Sequence, residues 1–303
     1  MRKTSRREFF GVLGVTGAGL LAAKARAAGQ ARAVNNDELG MLYDATRCVG
    51  CKACMAACKR VNFESGGLSY ERAPFDPDGL WDAPEDLSGS TRTLIKLCRE
   101  SAKRWSYVKY SCLHCQEPSC VSVCPVSAMT KDKVTGIVDY DRTKCIGCRY
   151  CQIACAFNIP RFQWDRKAPQ IVKCDLCKHT NLRGKGIPAC AEVCPAGAIS
   201  FGKRGALLQE ARARIQADSA GYQHYIYGEH EVGGTNQLYL SALPFAALGL
   251  NELPGQAPAV FSEQIQHTIY QGFIAPVALY GVLCAVALRN RSKARVTGSS
   301  KEE

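Results

Sequence analysis

The sequence predicts an α+β protein: two small cysteine-bearing modules with loop insertions, followed by one C-terminal transmembrane helix. Three observations carry this. Sixteen of the 18 cysteines fall into four runs of four. The first run is repeated in the third and the second in the fourth. Residues 269–288 contain no charged side chain. A hydrophobic fraction of 47% against 22% charged is a globular balance, and a chain of 303 residues is too long and too poor in cysteine for a small secreted disulfide scaffold.

The chain begins with an address. Thr4-Ser5-Arg6-Arg7-Glu8-Phe9-Phe10 precedes an apolar stretch at 11–23, and Ala25-Arg26-Ala27 supplies a small-residue cleavage site. This is the layout of an export signal, and its apolar core is too short to span a bilayer. The paired arginines resemble the twin-arginine signal, which implies export of an already folded protein. We therefore expect a signal at 1–27 and a mature chain at the periplasmic face of the inner membrane. The net charge of +12 is concentrated at the ends: +5 in residues 1–27, +3 in 289–303 and only +4 between them. That distribution argues against a nucleic-acid partner.

The body, 28–202, holds the four runs. Cys48, Cys51, Cys54 and Cys58 have the spacing C-x2-C-x2-C-x3-C, and Cys145, Cys148, Cys151 and Cys155 repeat it. Cys112, Cys115, Cys120 and Cys124 precede Pro125; Cys174, Cys177, Cys190 and Cys194 precede Pro195. Three thiolates two residues apart wrap an iron–sulfur cube from a tight loop, while the fourth points away. In two-cluster ferredoxins that fourth Cys, often followed by Pro, ligates the other cluster. Zinc sites pair two C-x2-C knuckles instead, and cysteines two residues apart make a poor disulfide framework. The expected cofactors are four [4Fe-4S] clusters.

Tyr43-Asp44-Ala45-Thr46-Arg47-Cys48-Val49-Gly50-Cys51 matches Tyr140-Asp141-Arg142-Thr143-Lys144-Cys145-Ile146-Gly147-Cys148, and Cys120-Val121-Ser122-Val123-Cys124-Pro125 matches Cys190-Ala191-Glu192-Val193-Cys194-Pro195. The chain thus reads as two ferredoxin-like 2[4Fe-4S] modules. Spacing alone does not decide which runs share clusters. Strands are expected at 136–140 and 198–201, with an amphipathic helix at 204–218. Residues 59–111 read as a surface-loop insertion or a docking segment. Residues 203–264 read as an extension and linker.

The apolar segment 265–288 ends in Arg289, Arg291, Lys293 and Arg295. Its 20 uncharged residues at 269–288 would span about 30 Å as a helix, the thickness of a hydrocarbon core. Basic flanks stay cytoplasmic, so 289–303 reads as a cytoplasmic tail and the lipid bilayer as a partner. Cys98 and Cys284 fall outside the runs. His114 reads as a residue beside a cluster or at the surface, His267 as interfacial, and Lys52, Arg149 and Lys173 as a solvated face, with a raising of cluster potentials as the alternative. No Ser/His/Asp triad or Gly-rich phosphate loop stands out, so no catalytic residue is assigned.

Four such runs in this order resemble the four-cluster ferredoxin-type subunits of membrane-bound oxidoreductases, including those of formate dehydrogenase, dimethyl sulfoxide reductase, polysulfide reductase and hydrogenase complexes. The resemblance extends to Leu39-Gly40-Met41-Leu42-Tyr43-Asp44, Gly233-Gly234-Thr235 and Ile265-Gln266-His267-Thr268-Ile269-Tyr270, and covers essentially the whole chain. It implies that run one pairs with run four and run two with run three. The implied quartets are Cys48, Cys51, Cys54 with Cys194; Cys174, Cys177, Cys190 with Cys58; Cys112, Cys115, Cys120 with Cys155; and Cys145, Cys148, Cys151 with Cys124. The implied function is an electron wire from a periplasmic nickel–iron hydrogenase to an integral membrane quinone-reducing subunit. A molybdenum or tungsten enzyme such as formate dehydrogenase is the alternative partner, and a scaffold with structural clusters is a further reading. Formate dehydrogenase subunits of this kind typically lack their own signal, which favours the hydrogenase.

Overall fold

A computed structural model describes residues 34–64 and 85–298, with backbone alone at 63–64, 266–271, 274–275 and 290–298. The signal at 1–27, the middle of the 59–111 insertion, the His267 side chain and most of the basic tail's side chains lie outside the described residues. The strands are β1 (Leu39–Asp44), β2 (Leu94–Arg99), β3 (Trp105–Tyr110), β4 (Met129–Lys131), β5 (Val138–Tyr140), β6 (Arg161–Phe162), β7 (Ile171–Val172), β8 (Ile199–Lys203) and β9 (Gln237–Leu240). The α-helices are α1 (Ala53–Lys59), α2 (Ser119–Ser122), α3 (Tyr150–Ile153), α4 (Asn181–Lys185), α5 (Ala189–Glu192), α6 (Arg204–Ala217) and α7 (Pro258–Gly298). The chain divides into Arg32–Ala259 and a second unit that includes Val260–Glu303.

Within the first unit, β1 is the centre of a three-stranded sheet, antiparallel to β8 and parallel to β9. Successive side chains of a strand point to opposite faces. Met41 and Tyr43 enter the core that holds Cys54, Cys112, Cys174 and Cys190. Leu42 enters a separate core with Leu207, Leu208 and Ala211 of α6 and Leu238 and Leu240 of β9. The sheet therefore has a cysteine side and a helix side. The expected helix at 204–218 is present, and its buried residues Arg204, Leu207, Leu208 and Ala211 follow helical spacing. Arg204 is buried because its guanidinium donates to Thr235 O at 2.8 Å, Asn36 Oδ1 at 2.7 Å and Glu229 O at 3.0 Å.

The expected strands at 136–140 and 198–201 correspond to β5 and β8. The surface-loop reading of 59–111 is corrected over 94–110, where β2 and β3 form a six-pair antiparallel hairpin. Its Leu94, Ile95, Tyr107 and Val108 are buried in the cysteine-bearing core. Lys96 and Lys109 interrupt the apolar pattern by which such a hairpin would be read.

The second unit is dominated by α7, 41 residues long with Pro276 inside it. It contains the charge-free stretch 269–288, and Phe273, Val277, Leu279, Tyr280, Leu283 and Leu288 are exposed. Among the described residues no helix is long and apolar enough to cross a membrane.

Candidate metal centres

The two repeated sequences adopt the same local geometry. Asp44 Oδ1 accepts from Thr46 N at 3.1 Å and Thr46 Oγ1 at 2.6 Å, and Asp141 Oδ1 accepts from Thr143 N at 2.9 Å and Thr143 Oγ1 at 2.6 Å. Gly50 and Gly147 then turn with φ of 69° and 72°, and Lys52 and Arg149 with 57° and 63°. These left-handed residues curl the chain around the first two cysteines and lead into α1 and α3, whose first turns carry the third, Cys54 and Cys151. In the other two runs, the carbonyls of Pro118 and Pro188 cap α2 and α5 by accepting from Val121 and Ser122, and from Ala191 and Glu192.

Long-range strand pairing sets which runs meet. Asp44 N, just before run one, donates to Ala198 O, just after run four, at 2.8 Å; Asp141 N, before run three, donates to Ala128 O, after run two, also at 2.8 Å. The pair β1–β8 in one module thus corresponds to β5–β4 in the other. Helix α1 packs on α5, and α2 packs on α3. The fold brings run one to run four and run two to run three.

Four quartets of thiols result. Cys48, Cys51, Cys54 and Cys194 line one cavity, and Cys124, Cys145, Cys148 and Cys151 line another. Burial pushes the Cys58 thiol well up, with Cys174, Cys177 and Cys190 beside it adding to the shift. Burial does the same to Cys115, next to Cys155, Cys112 and Cys120. Burial pushes Cys54 and Cys174 up to about 12, each against the opposing charge of Lys109. Burial, with Cys145, Cys148 and Cys124, pushes Cys151 to about 11. Buried thiols that resist ionisation become thiolates where a metal replaces the proton. No disulfide joins any of the cysteines. Among the described residues, no three His, Cys, Asp or Glu side chains are grouped to hold a metal ion. The first and fourth quartets instead line voids, and an all-thiol set around a void suits a cube that takes each thiolate on a different iron.

The quartets form a series. Cys54 of the first feels Cys190 of the second, Cys174 of the second and Cys112 of the third share one core with Tyr239, and Cys120 of the third feels Cys151 of the fourth. The two ends reach the surface: Cys51 is exposed and Val49 beside it is 63% exposed, while Ile146, between Cys145 and Cys148, is 65% exposed.

Several neighbours differ from expectation. Lys173 is not on a solvated face but 5% exposed, its ammonium donating to Val138 O and to Cys174 O at 3.0 Å. Lys52 is half-buried, whereas Arg149 is exposed as expected, its guanidinium 4.7 Å from the Trp164 ring centroid. His114 is buried; its Nδ1 accepts from Val138 N at 3.0 Å, and its Nε2 has no protein partner. The Gly233-Gly234-Thr235 segment backs the second run, with Gly234 O accepting from Gln116 N at 2.9 Å and Thr235 bridging to Cys115. Sequence reasoning missed Asn62, whose amide lies 3.5 Å from Cys58 Sγ and 3.8 Å from Cys177 Sγ, and it missed Lys109. Cys98 lies outside the quartets, near Tyr110 OH and Leu248 O at 3.8 Å, and Cys284 lies in α7.

The equivalent glycines give a test. A Cβ on Gly50 would sit 2.3 Å from the Tyr107 ring, whereas one on Gly147 would meet Phe162 no closer than 3.6 Å. Both carry the left-handed penalty of roughly 1–2 kcal/mol. Only Gly50→Ala adds overpacking of about 1–3 kcal/mol. Chemical unfolding of the iron-loaded protein should show Gly50→Ala as clearly the more destabilising; equal effects would contradict the packing of β3 on the first run.

Comparison with known proteins agrees with this geometry. Residues 103–204 match the 4Fe-4S dicluster domain family. The chain is 36% identical to the hydrogenase-2 operon protein HybA of Escherichia coli O157:H7, over 94% of both proteins. The chain belongs to the family of HybA-like 4Fe-4S ferredoxin-type subunits. This HybA-like chain is also 31% identical to the nitrate-inducible formate dehydrogenase iron–sulfur subunit of Escherichia coli, over 82% of each. It is 34% identical to the formate dehydrogenase iron–sulfur subunit of Haemophilus influenzae, over 67% of this chain and 64% of that one. It is an iron–sulfur electron-transfer subunit of the α+β class.

Proposed function

We propose that this subunit carries four [4Fe-4S] clusters, one in each quartet, and relays electrons from a periplasmic nickel–iron hydrogenase to a quinone-reducing membrane partner. The observation that carries this reading is the series of four thiol quartets with surface access at its two ends, in a chain matched to HybA over 94% of its length. Such clusters supply one-electron oxidation and reduction, at potentials set by charge, hydrogen bonds to sulfur and exposure. The chain's own part is to hold the thiolates, exclude water and keep successive sites close. Asn62 adds an N–H to sulfur in the second quartet. Burial of Cys58, Cys174, Cys177 and Cys190 keeps solvent from that quartet. In the same reading, residues 1–27 direct folded export by the twin-arginine route. The stretch 269–288 within α7 anchors the subunit in the inner membrane, with the basic tail on the cytoplasmic side.

A second reading, the iron–sulfur subunit of a molybdenum or tungsten enzyme, is supported by the match to formate dehydrogenase subunits. Metal analysis of the native complex decides between them. The complex would be drawn from detergent-solubilised membranes through a tag on this chain. Nickel accompanying iron is the expected result. Molybdenum or tungsten would move the subunit to the second reading, and recovery of the mature protein without detergent would overturn the membrane anchor.

A further inference from the structure

Two lysines are buried beside the quartets. Lys109 on β3 is 1% exposed and donates to Ser111 Oγ at 2.7 Å. Its cross-strand partner Ile95 donates its N–H to the sulfur of Met55, the residue after Cys54, at 3.2 Å. Lys173 immediately precedes Cys174 of the second quartet. Its ammonium bonds Val138 O, and the N–H of the same Val138 bonds His114, which stands between Cys112 and Cys115 of the third quartet. Among the described residues, neither lysine is ion-paired with a carboxylate. Lys131 and Lys178, by contrast, pair with Glu38 and with Asp132 and Asp139. A buried ammonium without a counter-charge is expensive, and such groups are found paired. The groups that favour the charged form of Lys109 are Cys190, Cys174, Cys54 and Cys58, sulfurs of the first two quartets.

We propose that Lys109 and Lys173 are fixed counter-charges set between successive clusters, Lys109 between the first and second and Lys173 between the second and third, and that each raises the reduction potential of the clusters it separates. This rests on the quartets holding clusters, as proposed above. Each transfer moves one electron between neighbouring clusters, oxidising the donor and reducing the acceptor by one, with no proton taken up. The acceptor becomes one charge more negative, and a nearby buried cation stabilises that state. Each lysine acts as a positioning charge and takes no part in bond making.

The test is a redox titration of the full-length, detergent-solubilised protein followed by electron paramagnetic resonance, with iron content measured in parallel. Wild-type protein lacking iron would defeat the cluster reading itself. In iron-replete Lys109→Met, reduction of two of the four clusters should become at least about tenfold less favourable, about 59 mV for a one-electron couple. The cluster of Cys124, Cys145, Cys148 and Cys151 should be unmoved. Lys109→Arg, which keeps the charge, should restore the wild-type potentials. Lys173→Met should move a different pair that shares one member with the first. Unchanged potentials, or an equal shift of all four, would overturn the proposal. If Lys109→Met loses iron, retention of iron by Lys109→Arg supports the counter-charge, and loss of iron by both variants overturns it.

Discussion

Cys194→Ser should remove the same cluster as Cys51→Ser, although 142 residues separate the two cysteines. Each single variant should lower iron from about sixteen to about twelve per chain, because each strips one thiolate from the same proposed cube. The double variant should stay near about twelve. Cys51→Ser combined with Cys124→Ser, by contrast, should fall to about eight. The logic is that of a double-mutant cycle: changes within one unit fail to add, and changes in separate units add. The physical basis is the sheet. The hydrogen bond from Asp44 N to Ala198 O and the pairing of β1 with β8 bring Cys194 to the mouth of the first run, where it lines the cavity of Cys48, Cys51 and Cys54. Iron near eight in the Cys51, Cys194 double variant would mean that these thiols serve different clusters.

That pairing marks the limit of what the sequence makes legible. The two repeats, Asp44 to Cys51 and Asp141 to Cys148, encode their own loops: an aspartate that accepts from the threonine two residues on, a glycine in the left-handed region, and a short helix. Those are local, and they fold as the repeat implies. Cluster sharing depends on which strands pair, β1 with the distant β8 in one module and β4 with the neighbouring β5 in the other, and spacing carries no information about that. Lys173 misleads for a different reason. Lysine is among the residues least often buried, so a lysine next to a ligand reads as surface unless the anion that pays for its burial is known. Lys109 is harder still, because it lies in a segment that reads as a loop. Its burial follows from the β2–β3 hairpin packing into the cysteine-bearing core. Helix α6 was legible because Leu207, Leu208 and Ala211 recur at helical spacing and the core they enter contains no cysteine.

That cysteine-free core sets the outcome of removing iron. Strands β4 and β5 have three residues each, β6 and β7 two, and α2, α3 and α5 four. Two-stranded hairpins and helices of this length are not independently stable in water. They hold their geometry because cysteines on neighbouring elements are tied through the proposed clusters. Structural metals contribute on the order of 10 kcal/mol to a small domain. That is comparable to the whole stability of an ordinary domain, about 5–15 kcal/mol. Chelation under denaturant-free conditions should therefore abolish amide protection in β4, β5, β6 and β7 and throughout the four runs. Residual protection should persist in α6, β1 and β9, where Leu42, Leu207, Leu208, Ala211, Leu238 and Leu240 pack without a thiol among them. Lys109 and Lys173 would add to the collapse, since loss of the anionic clusters strands two buried ammonium groups. Hydrogen exchange followed by mass spectrometry reads the gradient directly. Protection that survived equally in β4–β5 and in α6 would mean that side-chain packing alone holds the modules together.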